Sequence, residues 1–174
     1  MKNRLCVVSA ICVLVVSSAS SRLTGQEGRP ATPARPPQMI DFATAKKAAA
    51  AAEAAAVALK GSVAITVMDA NGDLVYVQRM DTASPRAVTS SMGHARAALL
   101  LGISDIQAYD AMKAGKPVPV MISALPQGNW EITIEPGGIP IVKDGKTIGA
   151  IGVGGIASLD DEKVAQAGVD ALTR

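Results

Sequence analysis

The chain has 174 residues, 49% of them apolar, with a mean hydropathy of +0.28 and a formal net charge of +2. That length leaves room for one domain once a targeting segment and a linker are set aside. The near-balance of charge and a total of one Trp, two Tyr and one Phe exclude an electrostatic or base-stacking case for nucleic acid.

The start of the chain has the three parts of an export signal. Lys2 and Arg4 are basic, Leu5 to Val16 is apolar, and Ser17 to Ser21 is a run of small residues. The apolar run falls short of the ~20 residues that a spanning helix needs, so we expect residues 1–20 to be a cleaved signal. The mature chain is then secreted or periplasmic, with no stable membrane insertion. Cleavage near Ser20 removes Lys2 and Arg4 and leaves fifteen charges of each sign. Both cysteines, Cys6 and Cys12, lie inside the signal, so the mature chain holds no disulfide, thiolate metal site or cysteine nucleophile. Residues 21–38 contain RLTGQEGRPATPARPPQ, which has four prolines and almost nothing to bury, and they read as a disordered or extended linker. The folded domain is expected over 39–174.

Within it, Asp41 caps an alanine-dense helix from Phe42 to about Leu59 that Gly61 ends. Ser62–Asp69 and Leu74–Met80 alternate about Asn71-Gly72 and predict a β-hairpin. Ser84 and Pro85 open a second helix that stops at Gly102. Ser104 and Gln107 have capping-box spacing for a short third helix ending at Gly115. Lys116–Gly128 reads as loop and Trp130–Glu135 as a strand. Gly138–Lys143 and Lys146–Val153 form a second hairpin about Asp144-Gly145, and Asp160, Asp161 and Glu162 open a final helix. The order α, β, β, α, α, β, β, β, α predicts an α/β fold of α+β type, an antiparallel sheet of about five strands with helices packed on it.

The glycine-rich stretch Gly137–Gly155 raises the question of a nucleotide, because Gly152, Gly154 and Ala157 spell G-x-G-x-x-A. The parallel crossover, second strand and distant acid of a dinucleotide fold are missing. Gly145-Lys146-Thr147 likewise ends a phosphate loop whose first glycine position is Pro140. Glycines in a strand instead mark close approach or bends. Gly149, Gly152 and Gly154 are either a floor for a ligand or backbone, or sites of tight packing in a twisted sheet.

The segments SVAITVMDANGDLVYVQRMD (Ser62 to Asp81), GHARAALLL (Gly93 to Leu101) and PGGIPIVKDGKTIGAIGVGG (Pro136 to Gly155), with the helix after them, resemble the GlcG/HbpS haem-binding family. The likeness covers essentially Met39 to Leu172. It implies a profilin-like domain, a homo-oligomer and, as in several members, haem or iron binding with a haem-degrading or redox-sensing role. The signal segment resembles the exported members.

Haem iron takes His, Met, Cys or Tyr, which leaves His94, Tyr76, Tyr109 and the methionines. His94 is the single histidine and the candidate axial ligand, although the family commonly has lysine at the matching position. It lies roughly 130° from the stripe of Val88, Met92, Ala95 and Leu99 on the second helix. That helix has no properly polar face, so it is expected to cover a second partner: a helix, another subunit or a flat tetrapyrrole. Tyr76 is a second candidate ligand. Arg79 and Arg96 are candidate partners for haem propionates, whereas Met80, Met92 and Met112 read as core filler. No hydrolytic constellation or histidine-rich metal cluster is present. The sequence thus leaves three readings open: a haem-binding or haem-handling protein, a cofactor-free accessory module, or a small-molecule enzyme of unidentified chemistry.

Overall fold

A computed structural model describes residues 39–121 and 131–173, all within the unit Arg35–Arg174. The expected signal (1–20), the linker (21–38) and Trp130 lie outside the described residues.

Helix α1 (Phe42–Ala58) begins where the Asp41 carboxylate accepts the Thr44 N–H at 2.7 Å. Its buried alanines, Ala45, Ala48, Ala49, Ala52 and Ala56, recur every three or four residues and so form one stripe. Strands β1 (Ala64–Asp69) and β2 (Leu74–Arg79) follow. Asp69 holds their turn by accepting the N–H groups of Asn71 and Asp73, and Gly72 takes φ 83°. Helix α2 (Arg86–Leu101) ends on Gly102 in the left-handed region, φ 66°. Helix α3 (Asp105–Lys113) carries the expected capping box, with Ser104 and Gln107 each bonding the other's backbone. Strands β3 (Gly138–Lys143) and β4 (Lys146–Gly154) form the second hairpin, and helix α4 (Ser158–Asp170) closes the fold.

The sheet is antiparallel throughout, in the order β2-β1-β4-β3, with β1 and β4 at its centre. It has four strands among the described residues, not about five. The segment 131–135 alternates like a strand but joins no ladder. Thr133 N–H donates instead to the Gly93 carbonyl of α2 at 3.2 Å, because Gly93 has no side chain to hold the segment off the helix. Contact with a helix thus replaces strand pairing, and alternation alone does not distinguish the two.

One sheet face carries Ile65, Val67, Ile139, Ile141, Ile151 and Val153, packed against α1 and against Val164 and Ala165 of α4. Each fully buried Ile or Val contributes about 1.5–3 kcal/mol. On the other face Ala64, Thr66, Met68 and Ala150 meet α2. Here the helix lies almost on the sheet backbone. A Cβ at Gly152 would overlap the Ser91 carbonyl and the Ala95 nitrogen, and one at Gly154 would stand 2.8 Å from the Ser90 side chain.

Candidate functional site

His94 projects from the flank of α2 that faces α3 and the 131–138 segment, and it is 2% exposed. Its Nδ1 lies 2.8 Å from Oδ2 of Asp105, in the first turn of α3. The ring also meets the Glu135 carbonyl and packs on Gly137, where a Cβ would come within 2.9 Å of Cδ2 and Cε1. Gly138 must be bare for the same reason, since a Cβ there would overlap the His94 carbonyl and the Asp105 carboxyl. Glu162, from α4, completes the cluster by accepting the Gly137 N–H at 2.6 Å.

Burial sets the protonation of this cluster. Desolvation pushes His94 down to about 4, against the upward pull of the Glu135 carbonyl. Asp105 is pushed up to about 10 by desolvation first and by the neighbouring Glu162 charge second, against a hydrogen bond from the Gly138 backbone. Glu162 is raised by burial, while hydrogen bonds from the Gly137 backbone, the Ser104 side chain and the Ile106 and Gly138 backbones favour its charged form. Near neutrality His94 is therefore uncharged, and Asp105 keeps its proton and donates it to Nδ1. The carboxyl Oδ1 of Asp105 is buried without a hydrogen-bond partner. The cluster binds α2, α3, α4 and the start of β3 to one another. Among the described residues no group of three or more His, Cys, Asp or Glu side chains is placed to hold a metal ion.

The other expected site residues are not gathered around His94. Tyr76 is on the opposite sheet face, its hydroxyl donating to Gln78 at 2.9 Å and its ring 5.9 Å from that of Phe42. Arg79 is exposed at the end of β2, in a groove of about 460 Å³ shared with Glu53, Asp81 and Thr82. Arg96 is half-buried, and its Nη1 donates to the Glu131 carbonyl at 3.4 Å. Gly152 and Gly154 lie under α2, and Gly149 lies under the Met68 carbonyl and Ile40, so the chain itself occupies the space above all three. The weakly polar flank of α2 is covered by α3 and the 131–138 segment.

Asp105 and Glu162 escaped the sequence reading because an acid in the first turn of a helix is what the helix dipole favours, whether buried or not. Met112, expected in the core, is 50% exposed, because α3 buries only Asp105 and Ala108. Tyr109, one turn away, is 36% exposed. With Lys113, Ile134 and Glu135 these two residues line an open groove of about 420 Å³.

A small α+β domain with an all-antiparallel sheet, one helix set close on a glycine-bearing face and an internal polar cluster defines a narrow structural class. The family sequence model described as "Haem degrading protein HbpS-like" matches residues 40–170, and the chain belongs to that family. An uncharacterized 15.0 kDa protein of Citrobacter freundii, from the dhaT-dhaS intergenic region, is 33% identical over 135 residues, covering 77% of this chain and 92% of that protein. Protein GlcG of Escherichia coli K12 is 36% identical over 92 residues, covering 53% of this chain and 63% of its own. Among solved structures, Klebsiella pneumoniae protein ORFY superposes with a TM-score of 0.67 at 29% identity, over 82% of this chain and 96% of that one. HbpS superposes with a TM-score of 0.64 at 28% identity, over 77% and 90%. The PduOC complex with heme, TM-score 0.65 at 22% identity over 76% and 94%, shares the fold.

Proposed function

We propose that this chain is an exported, homo-oligomeric haem-binding or haem-handling protein. The observation that carries this reading is the family match over residues 40–170, whose description is of haem degradation. The solved relative with heme bound has the same fold and supports it. Export is supported by the basic, apolar and small-residue order of the first twenty residues. Association is supported by apolar side chains left open at the sheet edge and on α1, among them Leu74 (50% exposed), Phe42 (59%) and Val57 (58%).

A bound haem would supply the redox and oxygen chemistry, and the chain would supply a ligand, an orientation and shielding from water. His94 does not fit the ligand role in this arrangement. Iron could reach the imidazole at Nε2, with Nδ1 still bonded to Asp105, only after the 131–137 segment that covers the ring had lifted. The sealed histidine favours a second reading, a cofactor-free accessory module of the same fold.

Titration of the purified full chain with hemin separates the two. Saturable growth of a shifted Soret band supports haem handling, and its absence supports the module. Subcellular fractionation with mass measurement checks export: a periplasmic or secreted product shortened by about the first twenty residues is expected. Sedimentation checks association, and a monomer would remove that part of the reading.

A further inference from the structure

If haem binds this protein, its iron needs a donor that the fold leaves open. Among the described residues most candidates are already engaged. His94 is sealed, and the Tyr76 hydroxyl is bonded to Gln78. Met80 Sδ accepts the Val63 N–H at 3.5 Å, and Met68 is 1% exposed. Met121 is open, at 67% exposure, and Tyr109 and Met112 remain open on α3. Three residues apart on a helix, they share one face.

We propose that the groove between α3 and the 134–135 segment is an iron-porphyrin site in which the Tyr109 oxygen takes the iron and Lys113 meets a propionate. This rests on the haem-handling reading above. The volume of about 420 Å³ falls in the range of small-molecule sites, ~300–1,000 Å³. Met112 and Ile134 offer apolar surface to a macrocycle, and Met112 adds a second iron-capable atom. Lys113 Nζ stands 5.1 Å from the centroid of the Tyr109 ring, which places a cation beside the donor. The one acid in the lining, Glu135, is turned away toward α4, its Oε2 3.5 Å from the Ser158 hydroxyl. Charge and donor chemistry thus match a flat, apolar, carboxylate-bearing ligand with a ferric centre. Because the groove is open, it would cover only part of the macrocycle.

The test compares hemin with metal-free protoporphyrin on the full chain and on the Tyr109→Phe, Lys113→Glu and Tyr76→Phe variants, with circular dichroism to verify folding. Tyr109→Phe is expected to move the Soret band and weaken hemin binding at least tenfold, the equivalent of ~1.4 kcal/mol, with metal-free binding changed less than about twofold. Lys113→Glu should weaken both ligands, and Tyr76→Phe neither. Should wild type and Tyr109→Phe give the same spectrum and affinity, the groove assignment is overturned while the haem reading stands. If the wild type shows no saturable hemin binding, the haem reading fails and takes this site with it. A hemin-independent dimer that Met112→Glu dissociates would also overturn the assignment, by giving the groove to a second copy.

Discussion

The two faces of the sheet solve the same burial problem by different means. Against α1 and α4 the sheet presents branched aliphatic side chains, and the helices answer with alanine, so the layers are separated by ordinary side-chain packing. Against α2 the sheet presents glycine and alanine, the helix settles on its backbone, and polar groups fill the remaining space. Thr66 and Ser91 share a hydroxyl bond of 2.8 Å, and the His94–Asp105–Glu162 cluster closes the far flank. The first face can relax around a missing methyl group. The second has little free volume and few ways to rearrange, because its contacts are backbone atoms and buried hydrogen bonds.

That contrast can be broken most sharply at Gly152. Gly152→Val sets three side-chain carbons where the Ser91 carbonyl and Ala95 nitrogen already stand, and neither is the end of a flexible side chain. Loss of soluble, folded protein is expected, read by expression and circular dichroism. A well-folded variant would show that α2 rides less closely than it does here.

The opposite face should respond in a graded way. Ile65→Ala, at a site with no exposure, is expected to cost about 2–5 kcal/mol in denaturant unfolding while leaving a cooperative transition.

The polar cluster predicts a pH dependence that the aliphatic face does not share. Folded, the His94–Asp105 pair holds one proton from about pH 4 to about 10. Unfolded, it holds one near pH 5, on histidine, and none well above about 6.5. A raised carboxyl gives stability that is present below its unfolded value and lost as pH rises through the folded one. For the pair, the loss runs from about pH 6.5 toward 10, at no more than ~1.4 kcal/mol per pH unit. Glu162, also raised by burial, acts in the same direction. So does Asp161, raised to about 6 chiefly by burial. Asp105→Asn keeps a donor toward Nδ1 and removes the proton, so its melting temperature should vary less between pH 7 and 9 than that of the wild type. Parallel curves would mean that the proton is not held as described. The smallest effect is expected at the α3 cap, where Ser104→Ala should cost roughly 1 kcal/mol in thermal unfolding.

Much of this architecture could be read before any coordinates. Asp41, Ser104, Gln107 and Gly102 mark helix ends, Asn71-Gly72 and Asp144-Gly145 mark hairpins, and alternation in 64–69 separates the two sheet faces. These signals are local, since each depends on residues within one turn of each other. The glycine-rich run Gly137–Gly155 announced unusual closeness without saying to what. The segment 131–135 announced a strand and became a strap on a helix.

What the sequence by itself determined is the four helices, the two hairpins, their order and the apolar faces of α1 and the sheet, because propensity, capping and periodicity act over a few residues. The tertiary structure alone decided that α2 fills the space above the glycines. It also buried His94 with an acid eleven residues away, brought Glu162 to them from the last helix, and left Tyr109 and Met112 facing out. Burial and protonation depend on the desolvation that distant segments impose together, and no local pattern encodes which segments those will be.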